Sequence, residues 1–234
     1  MKNTINNENA QLKYQELREE ICDIGRRIWQ QGWVAANDGN ISIKIEENLF
    51  LVTPTGTSKG FMTPDMMILV DSSCRPLEES KWRPSSELLM HMRCYKARPD
   101  VKSVVHAHPP VATAFAVAHT PLDMYTMPEA IIALGSVPIA PYGCPSTEEI
   151  PDAVEPLLAE HDAVLLENHG ALTVGQDLTT AYYRMETLEY YAKLSMNSKI
   201  LGVAHELPME KIDELLELRK RFKIPGKHPG YKKF

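Results

Sequence analysis

The hydrophobic period of this chain switches repeatedly between about 3.6 and 2, and few architectures accommodate that pattern. From Leu12 to Gln31, apolar Tyr14, Leu17, Ile21, Ile24 and Ile28 recur every three or four positions and Gly32 follows as a stop, which predicts an amphipathic helix. Ile41-Ser42-Ile43-Lys44-Ile45 then alternates, Glu46-Glu47-Asn48 supplies a turn, and Leu49 to Thr53 is apolar and partly β-branched, the pattern of a hairpin. Helical stripes are predicted over Glu87–Ala97, capped by Ser85 or Ser86, and over Val111–Ala118 and Thr147–Glu160. They alternate with strand-like runs at Val101–His106, Val137–Ala140, Ala163–Leu166 and Ala171–Val174. Asp177 can cap a long helix carrying Leu178, Ala181, Met185, Leu188 and Ala192, ended by Gly202, and Pro208 opens another with Ile212, Leu215, Leu216 and Phe222. Hairpin-like pairs and two closing helices argue against strict βαβ repetition. The expected fold is α/β, a mixed or antiparallel sheet covered by helices, in one domain spanning 1–234.

Composition bounds the function. With 44% hydrophobic and 24% charged residues the chain is an ordinary globular one, not a disordered one. Its 25 Lys+Arg against 31 Asp+Glu leave a net charge of -6, which repels nucleic acid and acidic membranes, so an anionic substrate would need a local site. Met1 to Ala10 lacks the cationic-then-apolar order of a signal peptide, and no segment has the ~18 apolar residues of a membrane helix. Cys22, Cys74, Cys94 and Cys144 form no Cys-x-x-Cys pair and read as buried, reduced thiols, so a cytoplasmic location is expected.

The sharpest chemical feature is His106-Ala107-His108. In an extended segment both imidazoles project to one side and can converge on one ion. His169 is the leading third ligand, because it follows the apolar strand at Ala163–Leu166 and precedes Gly170, which would let the backbone turn sharply. Three neutral imidazoles with an open position suit catalytic zinc. His91, His119, His161, His205 and His228 have no such spacing and read as structural or solvated. Asn37-Asp38-Gly39-Asn40-Ile41-Ser42 and Thr53-Pro54-Thr55-Gly56-Thr57 are small, donor-rich turns at the strand ends, suited to an anion. Ser85-Ser86-Glu87 at a helix start adds two hydroxyls where free N–H groups favour phosphate. Lys59 sits in an exposed-looking Ser-Lys-Gly stretch and is assigned no catalytic role.

Gly39-Asn40-x-Ser42, Thr55-Gly56, Ser85-Ser86-Glu87, His106-x-His108 and Asn168-His169-Gly170, in that order, resemble the class II aldolase/adducin superfamily. The resemblance runs from the first helix to about Gly202 and is closest to fuculose-phosphate-aldolase-like members. It implies an α/β/α sandwich and a ring-shaped homotetramer with sites between subunits. It further implies zinc on His106, His108 and His169, with Glu87 as a displaceable ligand and acid/base. Substrate phosphate would lie among Asn40, Ser42, Thr55, Gly56, Ser85 and Ser86, and Tyr125 and Tyr231 would be the aldehyde-side candidates, although the run around Tyr125 departs from the aldolase spacing. The tail 223–234, rich in Lys, reads as solvated or as a mobile lid. The implied function is zinc-dependent cleavage of a ketose 1-phosphate of fuculose, rhamnulose or 5-deoxypentulose type. The related epimerases generally carry Asp where this chain has Glu87. Pentulose-phosphate 4-epimerisation, methylthioribulose-phosphate dehydration and a non-enzymatic adducin-like module are the alternatives.

Overall fold

The structure is a computed structural model that describes residues 14–234. The reading of Met1–Ala10 and the start of the first helix at Leu12 lie outside the described residues. One seven-stranded sheet organises the chain. Its strands are β1 (Asn40–Glu46), β2 (Leu49–Val52), β3 (Ile68–Val70), β4 (Ser103–Ala107), β5 (Ile139–Ala140), β6 (Ala163–Leu166) and β7 (Gly170–Gly175). They lie in the order β3-β2-β1-β4-β7-β6-β5, every pair antiparallel except β5 with β6. The mixed, mainly antiparallel sheet expected from the sequence is therefore present.

The α-helices are α1 (Gln15–Gln30), α2 (Leu88–Ala97), α3 (Pro110–Val117), α4 (Pro128–Ala133), α5 (Glu149–Val154), α6 (Leu178–Ile200) and α7 (Met209–Arg221). Strand side chains alternate between the two faces of the sheet, and both faces are covered. Ile41, Ile43, Leu51, Val105, Leu165 and Ala171 pack with Ile21, Ile24 and Ile28 of α1 and with Ala181, Met185 and Leu188 of α6. Phe50, Val52, Ile68, Val104, Val164 and Leu172 pack with Leu88, Cys94 and Tyr95 of α2 and with Ile150 and Val154 of α5. The layers are helix, sheet, helix. Each fully buried aliphatic side chain contributes about 1.5–3 kcal/mol, so these faces hold the site's strands in register.

Departures from the sequence reading are local. α2 starts at Leu88, one residue late, with Glu87 as an N-cap that makes no side-chain capping bond. The helix expected over Thr147–Glu160 is split, because Pro156 cannot extend α5 and Glu155–Ala159 tightens into a 3-10 turn. β3 and α4 were not anticipated, being only 3 and 6 residues long, too short for a period to show. Phe222 of the last predicted helix lies just past its end and is exposed. Cys144 is exposed and Cys74 half-buried, so only Cys22 and Cys94 are the buried thiols expected of all four.

Asp177 caps α6 as its sequence position suggests, its Oδ1 accepting from the Thr180 N–H at 2.6 Å. Asp177→Ala should lower stability by about 1 kcal/mol, read as a shifted urea midpoint at unchanged slope.

Candidate functional site

Strand register gathers the sequence motifs at one end of the sheet. Asn40, the first residue of β1, lies opposite His106 near the end of β4. Ala107 pairs with Ala171 of β7, so the Glu167–His169 turn that joins β6 to β7 ends beside the His106-Ala107-His108 segment. β2 runs antiparallel to β1 and delivers Thr53-Pro54-Thr55 to the same end. There the Thr55 N–H donates to the Arg83 carbonyl at 2.8 Å, and Pro54 bridges Pro84, which fixes Ser85-Ser86-Glu87 alongside.

Two glycines make the close approach possible. Gly39 has φ +74°, and a Cβ there would stand 2.9 Å from the His106 carbonyl. A Cβ on Gly170 would stand 2.5 Å from the His108 ring. Gly170 therefore serves by leaving room for His108, not by the sharp turn expected of it. The left-handed residue of that turn is Asn168, with φ 55°, a conformation Asn tolerates better than most residues.

His106, His108 and His169 form the cluster read from the sequence, with ring nitrogens all within 4.8 Å of one another. The His106 Nδ1–H donates to the Ala171 carbonyl at 2.9 Å, which leaves Nε2 as the inward-facing atom. The Nε2 atoms of His106 and His108 are 3.2 Å apart. Tetrahedral zinc with bonds of about 2.0–2.1 Å would set its nitrogens about 3.3 Å apart, so the His106–His108 pair already has the spacing that zinc needs. Burial pushes His106 down to about 3 and also lowers His108, so both are neutral at physiological pH with a lone pair to give. Asp38 Oδ2, 3.4 Å from His108 Nδ1, is placed to orient that ring.

Glu87 closes the group. Its Oε1 is 3.2 Å from His169 Nε2 and its Oε2 is 3.6 Å from His106 Nε2, while Asn40 Nδ2 donates to Oε2 at 2.7 Å. Burial works to raise the Glu87 pKa, but the hydrogen bonds from His169 and Asn40 outweigh it, and the carboxyl is held well below its usual range. Glu87 is thus an ionised carboxylate across two of the three imidazoles. A helix cap would instead turn this side chain back to its own backbone.

A cavity of ≈ 230 Å³ opens beside the cluster, lined among others by Asn40, Thr55, Ser85, Ser86, Glu87, His108 and His169. Gly56, with φ +71°, turns the chain next to Thr55. Ser42 does not join this wall. It is fully buried inside the sheet face, where its Oγ shares 2.7 Å hydrogen bonds with His91 Nδ1 and Tyr95 OH. The period-two alternation that made Ser42 part of a motif also aims it into the layer between β1 and α2. Asp38 and Ser146 line the cavity without having been singled out. Asp38 sat inside a quoted turn motif, whereas Ser146 belongs to a loop whose approach depends on the tertiary fold alone.

Tyr125 and Tyr231 stack on each other, ring centroids 4.7 Å apart, away from the walls of this cavity. Tyr125 is buried, and its OH donates to the Lys232 carbonyl at 2.8 Å and accepts from the Lys232 N–H at 2.7 Å. The tail is tied at further points: His228 to the Ile131 carbonyl, Lys232 to Glu160 and Lys233 to Glu206. Lys232 and Lys233 thus meet acids from distant parts of the chain, which neighbouring sequence does not reveal. Lys59 is not exposed as its surroundings suggested; it is 1% exposed.

Comparison with known proteins agrees with this geometry. Residues 19–196 match the Class II Aldolase and Adducin N-terminal domain family. An L-fuculose phosphate aldolase of Methanococcus vannielii is 36% identical over 76% of this chain and 94% of its own. A 3-oxo-tetronate 4-phosphate decarboxylase of Escherichia coli is 34% identical over 77% and 86%. A 5-methylthioribulose-1-phosphate/5-deoxyribulose-1-phosphate aldolase of Escherichia coli is 30% identical over 90% and 97%. Among solved structures, an L-fuculose 1-phosphate aldolase superposes with a TM-score of 0.78 at 29% identity, covering 89% of this chain and 97% of that one. With its three histidines and Glu87 at one end of a mixed sheet, this chain belongs to the class II aldolase and adducin family, on the side of its lyases.

Proposed function

We propose that this chain cleaves a ketose 1-phosphate to dihydroxyacetone phosphate and an aldehyde, with zinc as its metal. The observation that carries the reading is the Glu87 carboxylate, which faces His106 and His169 and also lines the cavity whose walls hold Ser85, Ser86 and Thr55. In a retro-aldol step the C4 hydroxyl proton passes to the Glu87 carboxylate, the C3–C4 bond breaks, and its electron pair passes into the C2 carbonyl as an enediolate. A zinc ion held by His106, His108 and His169 would supply Lewis-acid stabilisation of that negative charge. Glu87 then carries the proton exchanged at C3. Asn40, Thr55, Gly56, Ser85 and Ser86 bind the phosphate and so place the reacting carbons against Glu87.

The aldehyde end is assigned to Tyr231 and Tyr125, acting toward a neighbouring subunit in a homotetramer. Tyr231, partly exposed, is the one able to reach outward, and Tyr125 holds the backbone of the adjacent Lys232. No helix among the described residues is long and apolar enough to cross a membrane, and the four thiols are unpaired. The protein is assigned to the cytoplasm as one catalytic α/β/α unit.

The decarboxylase relative supports a second reading. Loss of carbon dioxide from a 3-oxo acid phosphate also leaves a carbanion beside a carbonyl, so the same histidines and cradle serve and only the departing fragment differs. Fuculose, rhamnulose and 5-deoxyribulose 1-phosphates should each be coupled to an NADH-dependent reductase for dihydroxyacetone phosphate. Stoichiometric NADH loss with one of them, abolished by a chelator and restored by zinc, is the expected result. Release of carbon dioxide from 3-oxo-tetronate 4-phosphate with no aldol cleavage would replace the aldolase by the decarboxylase. Interconversion of ribulose and xylulose 5-phosphates without cleavage would replace it by an epimerase.

A further inference from the structure

The anion cavity lacks a cation of its own. No Lys or Arg is among the residues lining it, and two carboxylates, Asp38 and Glu87, are. A phosphate monoester brings a charge of about -1.5 to -2 at neutral pH, and apart from the zinc proposed above only hydroxyls and amides of the lining would hold it against like charge.

Lys59 lies behind this wall. Its side chain is buried, and its Nζ donates to the Asn37 carbonyl at 3.1 Å and the Thr57 carbonyl at 2.9 Å. Asn37 begins the turn that carries Asp38, Gly39 and Asn40, and Thr57 ends the turn that carries Thr55 and Gly56. One ammonium therefore joins two turns that both line the cradle. No acid pairs with it within 4.0 Å among the described residues, although the Asp38 and Glu87 carboxylates are near enough to act on its charge. Gly25 of α1 makes room for the segment, since a Cβ there would stand 2.9 Å from the Lys59 carbonyl.

We infer that Lys59 is a positioning residue for the phosphate, joining the Asn37 and Thr57 turns and supplying from behind the positive charge that the cradle lacks. The inference deepens the phosphate-binding reading above and rests on it. Burying an ammonium on two carbonyls alone is costly, and burial pushes Lys59 down to about 8, with Asp38 and then Glu87 pulling the other way. A structural staple between two turns needs no charge, because a neutral amide can donate to the same carbonyls. That difference makes the claim testable.

The experiment compares dihydroxyacetone with dihydroxyacetone phosphate as ligands of the full-length, metal-loaded protein, by calorimetry or by competition. Wild type should prefer the phosphate. Lys59→Met and Lys59→Gln should keep their metal and a near-native melting temperature, bind dihydroxyacetone as wild type does, and lose about tenfold or more of the preference for the phosphate. Lys59→Gln is the stricter variant, since it keeps a donor for the turn carbonyls but no charge. If Lys59→Gln retains the wild-type preference, the charge has no part in binding and the inference is overturned. If wild type itself shows no preference, the phosphate cradle is what fails. A loss of affinity for both ligands would mark Lys59 as a structural staple and would also overturn the inference.

Discussion

Glu87→Gln is expected to leave the protein folded and metal-loaded but to lower turnover about 100-fold or more. The substitution keeps the size of the side chain and an acceptor for Asn40, and it leaves the three imidazoles in place. What it removes is the carboxylate that exchanges the proton at C3. The competing role for Glu87 is that of a first-turn acid complementing the dipole of α2, worth only ~0.3–1 kcal/mol of stability. Geometry argues against that role, because the side chain makes no capping bond and faces His106 and His169 instead. Steady-state kinetics with the ketose 1-phosphate identified above, together with metal content, would decide. Near-wild-type turnover with a small drop in melting temperature would return Glu87 to a structural part.

His169→Ala is expected to lower metal affinity by more than about 100-fold, beyond the range caused by disturbing a residue that only supports a ligand. Wild type should hold about one zinc per chain. His169 sits on the β6–β7 turn, not within a strand, and its Nδ1 has no protein partner. Its removal therefore costs the fold little while taking away one of three donors. Elemental analysis after dialysis against a chelator is the measurement. A mutant that retains near-stoichiometric metal would remove His169 from the ligand set.

Much of the site was legible in the sequence because its chemistry is written in short, local patterns. His106-x-His108 reads as the two-residue repeat of a strand; β4 carries His106 and ends at Ala107, and His108 just beyond it still joins the cluster. Ser85-Ser86-Glu87 and Thr55-Gly56 are single turns whose residue types report their conformation. The faces of α1 and α6 were equally readable, since a helix buries residues three and four apart whatever it packs against. The β1–β2 and β6–β7 pairs had to be antiparallel, because the turns that join them are too short for a helical crossover.

What a side chain faces, by contrast, depends on partners far along the chain. Ser42 and Asn40 belong to one motif and one strand, yet Asn40 reaches Glu87 while Ser42 is enclosed by His91 and Tyr95. Their different surroundings come from where α2 crosses β1, and no local pattern encodes that crossing. Lys59 looks exposed between Ser58 and Gly60 because burial of a polar stem depends on what packs over it, here α1 at Gly25. Lys232 and Lys233 of the tail similarly look unpaired until the fold brings Glu160 and Glu206 to them. Local sequence determined the residue types, the periods and thus the ligand set, because these depend on bonds a few residues long. Tertiary structure alone decided which donors share a cavity and which charges lie behind its wall, because contacts across 20 to 100 residues of chain exist only once both cores have packed.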